Sequence, residues 1–163
     1  MRANNEKNQT RFYVFFALAI ASTIGIAFSA NLFTLFIFYE FLTLSTYPLV
    51  THKGREKVKR AGRVYLGVLL TTSICLFLPA IILTYSLTGS IEFTNNGIFN
   101  RSHQPLIIVS LLLIFAYGIG KAALMPIHYW LPSAMVAPTP VSALLHAVAV
   151  VKAGVFSLSL IHI

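Results

Sequence analysis

The chain has 163 residues, of which 57% are apolar and only 10% charged, whereas a soluble domain carries about 25% charge. Its formal net charge of +8 does not point to nucleic acid, because the basic residues gather beside the ends of apolar runs and not among stacking aromatics on a polar face. A single cysteine, Cys75, excludes an internal disulfide and any cysteine-based metal site; there is no aspartate and no phosphate-binding glycine loop, so neither metal nor cofactor is expected.

The hydrocarbon core of a bilayer is about 30 Å thick and takes roughly 20 helical residues to cross. Five apolar stretches of about that length can be drawn. Residues 1–11 form a polar N-terminal segment, and 12–163 a single membrane domain. The first span runs from Phe12 to Ala30 and the second from Asn31 to Val50, joined at Ser29-Ala30-Asn31 with no real loop, so the two form a hairpin. The third covers Val64 to Leu87, the fourth Pro105 to Met125 and the fifth Val141 to Ile163. The runs are continuous and rich in Leu, Ile, Ala and Phe, without the polar alternation of barrel strands. The expected fold is therefore an all-α integral membrane protein of about five transmembrane helices. The first apolar run is long and has no small-residue cleavage site, so it is expected to be retained and not removed as a signal peptide.

The expected loop Thr51–Arg63 carries six Lys/Arg against one Glu, and the N-terminal segment adds Arg2, Lys7 and Arg11, while the expected loop Thr88–Gln104 holds only Arg101. The positive-inside rule places the N-terminus and the basic stretch in the cytoplasm, with the connector between the fourth and fifth spans on the same side. For the basic stretch this topological role is favoured over recognition of a particular lipid.

An ionisable side chain at the bilayer centre costs roughly 2.5–3.5 kcal/mol on insertion scales, so each one inside a span is a candidate for function. Glu40 lies near the middle of the second span and is the only carboxylate within any of the five. Thr43 at i+3 and Tyr47 at i+7 put a hydroxyl and a phenol on roughly its face. The plainer alternative is a carboxylate that only glues helices together, work that a hydroxyl or amide does at lower cost. Lys121 sits in GIGKAALMP. Pro126 has no amide hydrogen for the carbonyl of Ala122, so the fourth helix is expected to break near Lys121. Breaks at membrane depth are tolerated where backbone is buried in protein or lines a cavity; the alternative is a lysine snorkelling to the interface.

His146 and Lys152 are six residues apart, about 240° around a helix, so they do not share a face but can border one cavity. Ser142, Ala143, Ala147, Ala149, Ala153 and Gly154 give this helix a slim profile for close packing. A lone histidine here is as well explained by an interhelical hydrogen bond; it is the neighbouring Lys152 that favours function. A buried lysine whose hold on its proton depends on how close a carboxylate stands can act as a proton relay, and this needs no nucleophile, metal or nucleotide.

The segment GKAALMPIHYWLPSAMVAPTPVSALLHAVAVVKAG, from Gly120 to Gly154, and NLFTLFIFYEFLTLSTYPLVTHKG, from Asn31 to Gly54, resemble the antiporter-like membrane subunits shared by respiratory complex I (NADH:quinone oxidoreductase) and Mrp-type multisubunit sodium/proton antiporters. The second segment is most similar to the D-type member of the Mrp set. The resemblance implies that Glu40 is the family's glutamate, Lys121 the lysine of its discontinuous helix, and His146 and Lys152 the protonatable positions of the helix that follows, together one proton half-channel. Trp130, Leu131, Pro132 and the run Ala137 to Pro140 match a structural connector, with Ser133 where many relatives have Asp.

Family subunits carry two inverted repeats of five helices each plus further helices, and only the first repeat is matched here. The implied function is that of a proton-conducting subunit, or a truncated or split part of one, in a multisubunit monovalent cation/proton antiporter of the bacterial inner membrane. It would be driven by an ion gradient and would be a transporter subunit, not a catalyst in its own right. Its partners would be the other subunits, the lipid bilayer, protons, and Na+ or K+. The alternatives are a non-transporting structural or assembly subunit and a non-functional remnant.

Overall fold

A computed structural model describes residues 9–52, 56–93, 105–134, 139–143 and 150–162, and these are helices and their connections. Helices α1 (Gln9–Ala27) and α2 (Leu32–Val50) form the expected hairpin. Asn31 starts α2: its backbone is extended, and its Oδ1 accepts the amide of Thr34 at 2.7 Å, which satisfies one of the donors a helix start leaves open. The hairpin turn is tied to the residues after the third span, since the Leu32 amide donates to the Ile91 carbonyl and the Phe93 amide to that of Ala30.

The third span is one continuous helical rod in three parts: α3 (Glu56–Thr72), a π-helical turn (Ser73–Phe77) and α4 (Leu78–Thr88). It begins at Glu56, earlier than Val64, so Lys59, Arg60 and Arg63 lie exposed on its first turns and not in a loop. In the π turn the Leu78 amide reaches back to the Ser73 carbonyl, a longer step than in an α-helix, which leaves carbonyls without an amide partner. Two hydroxyls at the junction bond back into α3. Thr72 Oγ1 donates toward the carbonyls of Val68 and Leu69, and Ser73 Oγ toward those of Leu69 and Leu70, at 2.9–3.1 Å.

Phe77, in the same turn, is the hub of an aromatic cluster, with Phe36, Tyr39 and Phe115 each set edge-on to it at 5.4–5.9 Å between ring centroids. Such pairs add about 0.5–1.5 kcal/mol each beyond the area they bury.

The fourth span is described as α5 (Pro105–Gly118), whose 14 described residues reach about 21 Å. It breaks where the sequence predicts. After Ile119 the chain makes a 3-10 turn at Gly120–Ala122, Ala123 adopts the left-handed conformation with φ 53°, and a second 3-10 turn at Ile127–Tyr129 leads into α6 (Trp130–Ala134).

The fifth span is described as α7 (Thr139–Ala143) and α8 (Val150–His162); His146 lies outside the described residues. Gln9–Ala27, Leu32–Val50 and Val58–Thr88 are long and apolar enough to cross a membrane alone, while Pro105–Gly118 and Val150–Leu160 are shorter apolar helices. Large apolar side chains such as Ile24, Phe33, Leu44 and Ile82 stand exposed on the outer faces, as suits a surface in lipid and not in water.

Candidate functional site

Local sequence dictates the break at Lys121, but distant residues hold it in place. Gly118 lets α5 meet the π turn, because a Cβ there would stand 2.6 Å from the Phe77 amide nitrogen. Gly154 does the same on the other side. A Cβ on it would lie 2.5 Å from the Ala122 nitrogen and 2.7 Å from the Lys121 carbonyl carbon, so α8 presses bare backbone against the broken stretch. The Gly120 carbonyl, cut off from a regular helix, accepts the Ala123 amide at 3.1 Å and the indole Nε1–H of Trp130 at 3.0 Å. Trp130 is fully buried, edge-on to Tyr65 at 5.6 Å, and the Tyr65 hydroxyl meets Thr46 Oγ1 at 2.7 Å. A chain of contacts thus runs from α2 through α3 and α6 to the break.

Lys121 is fully buried, with 0% of its surface exposed, so it does not snorkel. Its backbone amide donates to the Tyr39 hydroxyl at 3.0 Å, its Nζ donates to the Tyr39 carbonyl oxygen, and the same Nζ stands 3.2 Å from the centroid of the Tyr39 ring. The Tyr39 carbonyl also accepts the Thr43 hydroxyl at 3.1 Å.

Glu40, the next residue along α2, is half-buried. Both its carboxylate oxygens are shielded from solvent and neither meets a donor in bonding geometry among the described residues. The Ser73 hydroxyl faces it from the π turn, but that hydroxyl is already engaged by the Leu69 and Leu70 carbonyls. Glu40 and Lys121 lie within electrostatic reach of each other yet form no direct ion pair. The arrangement therefore offers two ionisable groups in the protein interior, one with open acceptor sites and the other held on an aromatic face.

Of the residues that the sequence singles out, the structure brings Glu40 and Lys121 together. The face of Glu40 turns inward as expected, with Thr43 buried and Tyr47 half-buried. Lys152 is not brought to this pair: it is exposed on α8, while its neighbours Ala153 and Gly154 are buried. His146 falls outside the described residues. Tyr39, Ser73 and Tyr65 enter the site without having been expected there. Tyr39 carries one signal in the sequence, its place directly before the only intramembrane carboxylate; nothing local marks the other two. Among the described residues no group of three or more His, Cys, Asp or Glu stands ready to hold a metal ion.

An all-helical membrane bundle with a broken helix and an acidic and a basic side chain in its interior defines an integral membrane protein built around buried ionisable groups. The chain belongs to the family described as NADH:quinone oxidoreductase/Mrp antiporter, TM, which matches residues 29–163. It is 32% identical over 160 residues, 96% of its own length, to a putative antiporter subunit mnhA2 of Staphylococcus epidermidis. It is 33% identical over 162 residues, 94% of its length, to the chloroplastic NAD(P)H-quinone oxidoreductase subunit 5 of Adenocaulon himalaicum. The chain spans about a fifth of the length of these curated relatives, 20% and 22%.

Its fold matches a chain in the structure of the Mrp complex from Dietzia sp. with a TM-score of 0.81 and 32% identity, covering 90% of this chain and 16% of that one. It also matches a chain of the membrane-bound sulfane sulfur reductase, an archaeal respiratory membrane complex, with a TM-score of 0.80 and 26% identity, covering 89% of this chain and 30% of the other. The Staphylococcus relative is named mnhA2, so these likenesses establish the family without singling out its D-type member.

Proposed function

We propose that the chain forms a proton half-channel in a subunit of a multisubunit monovalent cation/proton antiporter, with Glu40 and Lys121 as its coupled pair. The observation that carries this reading is the juxtaposition itself. Two ionisable residues 81 positions apart in sequence, 121 − 40, share one interior, and the acceptor oxygens of the carboxylate remain open.

The chemistry follows from charge. In a low-dielectric interior each charge strongly affects the other, and a proton taken up by Glu40 removes the negative charge that helps to hold the Lys121 ammonium. A proton arriving at one member thus drives a proton off the other. Lys152, exposed on α8, and His146 are the groups to which the proton passes on the way out of this segment.

The relatives, an antiporter subunit and chains of multisubunit membrane complexes, support an assembly with other subunits. Na+ or K+ is the exchanged ion. The membrane is the bacterial inner membrane, and the exposed Lys59, Arg60 and Arg63 at the start of α3 favour a cytoplasmic position for that end and for the N-terminus.

The test is proton flux in proteoliposomes that hold the chain together with the subunits it assembles with. Glu40→Gln keeps the shape of the side chain and removes its titrating charge, and Lys121→Ala removes the amine; each is expected to abolish flux while the protein still accumulates in the membrane. Unchanged flux in both variants would instead make the chain a structural membrane subunit.

A further inference from the structure

Lys121 is seated on Tyr39 by three separate contacts: amide to phenol oxygen at 3.0 Å, ammonium to main-chain carbonyl, and ammonium over the ring at 3.2 Å from its centroid. The first fixes where the break in the fourth span sits. The other two fix where the ammonium sits. No direct ion pair with Glu40 does either job.

A buried ammonium deprived of water needs acceptors, and an aromatic face attracts a cation through its quadrupole, more strongly once both are desolvated. The ring is itself immobilised. Tyr39 is fully buried and edge-on to Phe77 at 5.4 Å, and Phe77 is wedged against Phe36 and Phe115. The Tyr39 carbonyl is likewise anchored, since the Thr43 hydroxyl meets it at 3.1 Å. Glu40 follows Tyr39 directly, about 100° further round the same helix, so one turn of α2 sets both the seat of the lysine and the separation of carboxylate from amine.

We infer that Tyr39 is the positioning residue for Lys121, holding the ammonium on its ring face and carbonyl so that it stands near Glu40 without closing on it as an ion pair. The inference rests on the reading of Glu40 and Lys121 as the proton-transfer pair. Tyr39 transfers no proton in this scheme. It keeps the two partners poised, because a lysine released from the ring would be free to collapse onto the open Glu40 oxygens and lock the pair.

Fluorination gives a test that packing alone does not answer. Tyr39→Phe and its mono-, di- and trifluorinated forms, made in the chain assembled with its partner subunits, keep the shape of the ring while draining its π density step by step. Flux is expected to fall about fivefold in Tyr39→Phe through loss of the amide acceptor, and about tenfold further, in graded steps, across the fluorinated series. A flat series overturns the inference.

A second measurement is independent of transport. The side-chain methylene next to the Lys121 amine, observed by solid-state NMR of lysine-labelled protein and assigned through Lys121→Ala, should resonate upfield from ring current. It should stay there in Tyr39→Phe and return to the ordinary lysine position in Tyr39→Leu. An ordinary position in the unmodified protein overturns the inference whatever the flux shows. Glu40→Gln and Lys121→Ala are run alongside: flux intact in both sinks the proton-transfer reading, with the NMR result still deciding the seat, whereas flux lost in both with a flat fluorine series sinks the role of Tyr39 alone.

Discussion

In the α1–α2 hairpin most devices act on neighbours in sequence: Asn31 caps the helix that starts one residue later, and Ser22, Thr23, Thr43 and Thr46 return their hydroxyls to carbonyls a turn back on their own helix, with the bonds to Ile91, Phe93 and Tyr65 as the longer-range ties. The stretch from Ile119 to Tyr129 depends on residues outside it: Tyr39 holds Lys121, Trp130 holds the Gly120 carbonyl, and Gly154 makes room for the backbone. The hairpin would survive the loss of any one device, because its ladder of intrahelical bonds remains. The break has no ladder to fall back on. Its order comes from side chains that must all be present, and its damage should therefore appear in function before it appears in stability.

The largest effect expected on this contrast comes from Lys121→Met, which keeps most of the apolar stem and removes the amine. Proton flux should fall at least about a hundredfold, the scale of losing a proton-transfer group, with normal accumulation in the membrane. Substitutions on the exposed faces of α1 should leave flux per molecule unchanged. Equal flux in Lys121→Met and the unmodified chain would erase the functional distinction between the two regions.

Next in size is Gly154→Val. Even a Cβ at this position would stand 2.5 Å from the Ala122 nitrogen, so the larger side chain must drive α8 away from the break; overpacking of this kind costs about 1–3 kcal/mol. The measurement is denaturant unfolding in detergent alongside flux. Both are expected to fall, and a variant with unchanged unfolding and unchanged flux would show that α8 does not brace the break. Trp130→Phe is gentler. It keeps an aromatic ring against Tyr65 but withdraws the donor to the Gly120 carbonyl, which retains the Ala123 amide, so about 1 kcal/mol of stability should be lost.

The same contrast explains which parts of the molecule can be read from the sequence. Helical spans announce themselves by length and apolarity, and the break by Pro126 placed after two glycines and a lysine, because these signals are local. Glu40 and Lys121 stand out because charge inside an apolar run is costly. The seat on Tyr39 is not legible, since nothing in a linear sequence says that residue 121 will lie on residue 39. The π turn is hidden too. Ser73–Phe77 lies inside a continuous apolar run, and its extra residue shows only in the backbone bond from Leu78 to Ser73.

The start of α3 shows the reverse error: the cluster of basic residues reads as a loop by charge, yet Glu56 opens a helix, and the exposed Glu56–Lys59 pair at 3.2 Å adds little to it. Lys152 attracts the same argument as Lys121 and meets a different fate, because its side of α8 is the one turned away from the break.

The smallest effect expected is that of Asn31→Ala, and it tests the hairpin side of the comparison. The change removes the side-chain acceptor of the Thr34 amide and should cost about 1 kcal/mol. It leaves in place the backbone bonds from Leu32 to Ile91 and from Phe93 to Ala30, which tie the turn to the end of the third span without using the Asn31 side chain. Unfolding in detergent should shift modestly, while flux per molecule should match that of the unmodified chain, because the capping bond of Asn31 stays within the first turn of α2 and does not extend to Tyr39, Glu40 or the broken stretch. A loss of flux as large as that of Gly154→Val would mean that the entry of α2 into the membrane sets the position of Glu40, and the division between a locally held hairpin and a remotely held break would not stand.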